Sequence, residues 1–298
     1  MSVFRGAGVA LVTPFCEDKS VNYGMLETLI ERQIAGHTDA IIVCGTTGEP
    51  ATMTEEERLS VIAAAVKCTA GRVPVLAGCG GNCTENVAAF AQKAEALGVD
   101  AFLAVTPFYN KATQNGLYEH YSYVAHRVGL PVIMYNVPSR TGCNLLPETA
   151  VRIAGDCENV VGIKEAGGNI SQVADLARLA ELAGLEFAIY SGNDDQILPI
   201  LSLGGVGVIS VLSNLVPDGV HEMVDAYLKG NLQRARELQL GYLELVHALF
   251  CEVNPIPAKA ALAMLGYEAG GLRLPLTSLE ECHKEQLHKA LVNADLLH

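Results

Sequence analysis

The chain has 298 residues, long enough for one large barrel with an appendage or for two ordinary domains, and in either case for a sizeable core. Its 33 Asp and Glu against 20 Lys and Arg give a formal charge of -13, and no run of basic residues could neutralise a phosphate backbone, which sets nucleic acid aside as a partner. Hydrophobic residues make up 50% of the sequence but come in short segments cut by glycine, proline or charge, never the roughly 20-residue run of a membrane span, so a soluble protein is expected.

The N-terminal MSVFRGAGVALVTPF carries one arginine and then a short apolar run ending in Pro14, without the charged start and small-residue cleavage site of an export signal; it reads as a first strand. From there, short β-branched apolar runs alternate with helical stretches at intervals of roughly 20 to 30 residues. The runs are GVALVTP, DAIIVCG, VPVLAGCG, DAFLAVTP, LPVIMYN, VVGIKE, EFAIYSG and GVGVISV, each nearly continuous in apolar residues, as buried parallel strands require. Among the helical stretches, TEEERLSVIAAAVKCTA opens on a capping box, Thr54 followed by Glu57, and TENVAAFAQKAEALG ends on Gly98 as a C-cap. Eight strands each followed by a helix predict a closed (β/α)8 TIM barrel; a doubly wound open sheet would more often carry fewer strands and a glycine-rich dinucleotide fingerprint, which is missing here. From about residue 230 the cadence changes to helices alone: NLQRARELQLGYLELVHALF, NPIPAKAALAMLG and an amphipathic segment from about Ser278. The expectation is a catalytic barrel over residues 1–229 and a C-terminal helical domain over 230–298, packed as one body because no low-complexity linker separates them.

The nine cysteines are scattered singly, which suits a reducing cytosol better than a disulfide framework and points to a cytoplasmic protein. Cys79 and Cys83 lie closest but have no histidine partner nearby, while Cys282, His283 and His288 sit in a polar helical stretch where surface histidines a turn apart are commonplace. No metal is expected.

Active sites of TIM barrels are built at the C-terminal ends of the strands, and here those ends are unusually polar: GTTGEP, TPFYN, YNVPSRTG, IKEAGG and SGNDD. Lys164 closes the run VVGIK, and strand alternation sends it into the barrel and Glu165 to the opposite face. Taken alone, a lysine at a strand end more often reaches out to solvent. A buried one is chemically useful, because an ordinary lysine has only ~0.04% free amine at pH 7, whereas a depression of about 3 units makes the nucleophile abundant. Neutral amine attacks ketones to form imines, so carbonyl compounds are its natural electrophiles. Tyr135 ends the neighbouring strand toward the same mouth and is placed to relay protons. Thr46 and Thr47, between glycines, offer hydroxyls and freely directed N–H groups to a carboxylate, and Arg140 is a fork-shaped cation fitted to grip a second one.

Together, GTTGE, TPFYN, YNVPSRTG, the lysine of GIKEA and GVISV, in that order over nearly the whole chain, resemble the dihydrodipicolinate synthases of the N-acetylneuraminate lyase superfamily. The resemblance implies that Lys164 forms an imine with pyruvate, that Thr46, Tyr135 and a Tyr109 lent by a neighbouring subunit relay protons, and that Thr47 holds the pyruvate carboxylate. It also implies that Arg140 holds the carboxylate of L-aspartate 4-semialdehyde, that backbone at Gly192 and Ile209 lines the site, that no cofactor is needed, and that the assembly is a homotetramer, a dimer of dimers. Sibling enzymes cleave N-acetylneuraminate or keto-deoxy sugar acids with the same lysine and tyrosine; the SRTG arginine and the doubled threonine favour the synthase pattern over theirs. A barrel that kept the fold and lost catalysis is the reading from another class. Where lysine-inhibited members carry effector contacts, this chain has Glu55, Arg58, Asn82, Asn86 and Phe108, of which only Asn82 keeps the family residue. The gain of Arg58 and the loss of a carboxylate and a hydroxyl predict weak or absent inhibition by lysine.

Overall fold

The computed structural model describes residues 2–297. Eight parallel strands close into a barrel in chain order: β1 (Gly6–Ala10), β2 (Ala40–Val43), β3 (Val75–Gly78), β4 (Ala101–Val105), β5 (Val132–Asn136), β6 (Val160–Glu165), β7 (Ala188–Ser191) and β8 (Gly207–Ser210). All eight fall on the apolar runs read from sequence. The least exact match is β1, where GVALVTP suggests a strand running toward Pro14. The ladder stops sooner because, after Leu11 N bonds Ile42 O, Val12 N turns to a side chain, Asn214 Oδ1, at 3.1 Å.

The strands are buried on both faces, and alternation sorts their residues into two cores. Inside the barrel, Ile42, Leu76, Leu103, Ile133, Tyr190 and Ile209 belong to one apolar cluster, with Phe4 stacked on the Tyr190 ring at 4.5 Å between centroids. Outside, the alternate residues pack against the helices in a second cluster, which runs without a break from Ala7 to Leu291 and so takes in the C-terminal helices. The two parts of the chain do pack as one body.

Local signals held where their chemistry is self-contained. The capping box is present, with Glu57 N donating to Thr54 Oγ1 and Thr54 N to Glu57 Oε2, and it starts helix Glu55–Thr69. The expected C-cap at Gly98 is displaced: helix Thr84–Glu95 is capped by Ala96, and Gly98 turns the chain two residues later at φ +87°. After helix Pro217–Leu228 the chain is helical only, but the stretch 231–250 is two helices, Leu232–Gly241 and Leu243–Ala248, divided at Tyr242 beside the weak helix former Gly241. Helices Ile256–Met264 and Glu281–Asn293 complete the chain. No helix among the described residues is long and apolar enough to cross a membrane, and all nine cysteines are free thiols.

Candidate active site

Registration of β5 on β6 sets Tyr135 beside Lys164 at the C-terminal rim, and both side chains point inward. Lys164 is 4% exposed and its Nζ stands 4.5 Å from the centre of the Tyr135 ring. The ammonium's pKa is lowered to about 8, chiefly by burial, with the Asp194 carboxylate opposing the depression and Arg140 adding to it. Gly192 is required by this packing, since a Cβ there would come within 3.0 Å of Lys164 Cε and 2.6 Å of Ala166 Cβ. The Tyr135 phenol is also buried and is pushed up by desolvation, with Arg140 and a hydrogen bond to Thr46 acting the other way. It therefore stays protonated and able to pass a proton on.

Glu165, as alternation requires, faces away. Asn136 Nδ2 reaches both of its carboxylate oxygens at 3.1 Å and Gly167 N donates to Oε1 at 2.9 Å, so it braces the strand ends from outside.

The GTTGE segment forms a single tight turn, Thr46–Gly48, closed by Glu49 in the left-handed region at φ 54°. Thr13 Oγ1 donates to Gly48 O at 2.7 Å, and the Glu49 carboxylate is buried against Lys259 Nζ at 2.6 Å. The turn's position is thereby fixed from both sides. Thr47 Oγ1 accepts from Asn254 Nδ2 at 2.9 Å, and the backbone carbonyl of the same asparagine accepts from Arg140 Nη2 at 3.3 Å. Asn254 is itself buried.

Thr46, Thr47, Tyr135, Arg140, Lys164 and Gly192 line one cavity of about 180 Å³. That is small beside the roughly 300–1,000 Å³ of drug-sized sites and matches a short-chain acid. It opens into a wider cleft lined by Pro50, Arg58, Phe108 and Leu276. Ile209 is fully buried in the barrel interior, outside the cavity lining. Tyr109 is not brought in either: it is 89% exposed on the loop after β4, at φ 72°.

Two site residues carried no assignment from sequence. Asp194 is buried and accepts from Val211 N and Leu212 N at 3.0 Å each, binding the loop after β7 to the end of β8 while acting electrostatically on Lys164. SGNDD marked the place as polar and nothing more. Asn254 comes from the helical appendage, and no local pattern links NPIP to the barrel mouth.

Comparison with known proteins gives a consistent picture. The model of the dihydrodipicolinate synthetase family matches residues 3–294. The chain is 53% identical over 293 residues to the 4-hydroxy-tetrahydrodipicolinate synthase of Caldicellulosiruptor bescii, covering 98% of both chains. To that of Lachnoclostridium phytofermentans it is 50% identical over 297 residues, covering 100% of both. Among solved structures it resembles the dihydrodipicolinate synthase of Thermotoga maritima with a TM-score of 0.97 at 44% identity, covering 99% of this chain and 100% of the other. The Aquifex aeolicus enzyme gives 0.95 at 43%, covering 98% and 99%.

Proposed function

The chain belongs to the dihydrodipicolinate synthetase family, and on that premise we propose that it is a 4-hydroxy-tetrahydrodipicolinate synthase, condensing pyruvate with L-aspartate 4-semialdehyde through an imine on Lys164. The observation that carries the chemistry is the buried Lys164 amine, lowered to about 8 and set against Tyr135 at the floor of a small cavity.

Free Lys164 amine adds to the keto carbon of pyruvate, and loss of water leaves a protonated imine. That cation is the electron sink, so the reaction draws on no metal or organic cofactor. A proton leaves the pyruvyl methyl through the relay of Tyr135, Thr46 and a Tyr109 supplied by a neighbouring copy, giving an enamine. The enamine carbon attacks the aldehyde, and the new alkoxide takes a proton from the same relay. The semialdehyde's own amine then adds to the imine carbon, closing the ring and expelling Lys164 as free amine. Thr47 holds the pyruvate carboxylate, Arg140 holds that of the semialdehyde, and backbone at Gly192 shapes the wall. The exposure of Tyr109 in one chain supports the shared relay, which needs at least a dimer; we place it in a homotetramer of two such pairs, in the cytoplasm. Residues 1–229 form the catalytic barrel in this reading, and 230–298 the helical domain that closes its mouth.

The test is a coupled assay with pyruvate and aspartate semialdehyde beside N-acetylneuraminate and keto-deoxygluconate, paired with borohydride reduction in pyruvate and mass mapping of the adduct. Turnover of the first pair with the adduct on Lys164 supports the proposal. Cleavage of a sugar acid in its place, or full turnover in Lys164→Ala, overturns it.

A further inference from the structure

At the start of the C-terminal helix, metal-binding side chains from two segments meet. By sequence spacing Cys282 and His283 are adjacent residues in a polar stretch. The fold adds the carboxylates of Glu280, at the N-cap of helix Glu281–Asn293, and of Glu252, from the turn that follows helix Leu243–Ala248. The Cys282 Sγ, a ring nitrogen of His283 and a carboxylate oxygen of Glu280 all lie within 4.8 Å of one another, and Sγ is 3.7 Å from Glu280 Oε2. A tetrahedral zinc ion with bonds of about 2.0–2.3 Å sets its donors about 3.3–3.8 Å apart. One pair already has that spacing, and the exposed Glu280 and Cys282 side chains are free to close the rest.

Glu252 has a different place. It is largely covered, and its Oε1 accepts from His283 Nδ1 at 2.7 Å and from Glu280 N at 2.9 Å. A carboxylate on one imidazole nitrogen fixes the tautomer and leaves the other nitrogen's lone pair for a cation, the arrangement that orients histidine ligands in metal sites.

We infer that Glu280, Cys282 and His283 form a site for a borderline-soft divalent cation such as Zn2+, with Glu252 orienting the imidazole. One thiolate, one imidazole and one carboxylate do not suit Ca2+ or Mg2+, which take oxygen shells. On binding, the Cys282 thiol loses its proton to solvent and water fills the fourth position. One of the three donors, His283, is held by Glu252 on the segment that goes on to Asn254, the residue that holds Thr47 and Arg140 at the barrel mouth.

The test is titration of the chelator-treated, reduced full chain with Co2+, followed by its thiolate-to-metal absorption band, and with Zn2+ in competition. The expected result is one equivalent with a thiolate band. The band is lost in Cys282→Ser, and affinity falls about 10–100-fold in Glu252→Gln and further in His283→Gln. Cys83→Ser, an exposed cysteine elsewhere, is the control and keeps the band. Far-UV circular dichroism shows that each variant is folded, and Cys282→Ala replaces Cys282→Ser if the latter is not. A wild-type chain with no thiolate band, a band that survives Cys282→Ser, or an affinity indifferent to Glu252→Gln overturns the inference.

Discussion

Lys164 sits between two charged neighbours that pull its proton in opposite directions, so the pH dependence of imine formation tests the site directly. Burial sets the amine at about 8, with Arg140 adding to the depression and Asp194 resisting it. At pH 7 a pKa of about 8 leaves ~9% free amine against ~0.04% for an unperturbed lysine, on the order of 200-fold more nucleophile. The rate of pyruvate adduct formation, read by rapid borohydride quench and mass spectrometry, should climb about tenfold per pH unit at low pH and level off near 8. Asp194→Asn removes the charge that favours the ammonium, so the limb moves below 8. A shift of one unit is worth about 1.4 kcal/mol and takes the free amine at pH 7 from ~9% to ~50%. Arg140→Gln removes a cation that favours the free amine, so the limb moves above 8. A wild-type limb near 10, or both substitutions moving it the same way, would refute the assignment of burial and paired charge as the activating device.

Four further outcomes follow from the same geometry. Lys259→Met leaves Glu49 buried without its cation and should cost about 3–5 kcal/mol in urea unfolding, largely recovered when Glu49→Leu is added. Asn254→Ala removes the bond to Thr47 and should cost about 1–2 kcal/mol of substrate binding, seen as a raised KM for pyruvate at near-normal kcat. Tyr109→Phe should depress kcat without altering adduct formation on Lys164, and mixing it with Lys164→Ala chains should restore part of the turnover if the relay crosses between copies. Lysine at submillimolar concentration should leave the steady-state rate nearly unchanged. The Arg58 guanidinium lies over the Phe90 ring at 3.7 Å and donates to Gly78 O, lining the wider cleft with a cation that disfavours a cationic effector there; half-inhibition in that range would show the reasoning wrong.

What could be read in the sequence, and what could not, divides along a physical line. The inward direction of Lys164 and Tyr135 follows from a period of two and from the place where an apolar run stops, both properties of a few consecutive residues. The same is true of the Thr54 capping box. Asp194 was invisible because its role is set by the N–H groups of Val211 and Leu212, which only barrel closure brings to it. Glu252 met His283 for the same reason, across a segment whose path no periodicity encodes. The missed break at Tyr242 is of another kind: Gly241 weakens a helix by only about 1 kcal/mol, which packing decides either way.

The change of cadence near residue 230 marks where strands cease, but it does not mark where the active site ends. Lys259 neutralises Glu49 from helix Ile256–Met264, and Arg273 donates to the same carboxylate through its backbone N–H and to Glu57 through its guanidinium. Asn254 positions Thr47 and accepts from Arg140. A barrel cut at 229 would keep Lys164 and Tyr135 yet lose the Lys259 and Arg273 groups that fix Glu49, and with them one anchor of the turn that carries both threonines. The lysine's activation depends on a surround supplied mainly by the barrel interior, with Phe250 of the appendage also lining the cavity, whereas the proposed grip on two carboxylates depends on side chains that Asn254 of the appendage holds in place. Damage to the appendage should therefore reach the nucleophile's pKa only through Arg140, a lesser cause than burial, while it weakens substrate binding directly, so the two functions separate largely along the boundary at which the fold changes its rhythm.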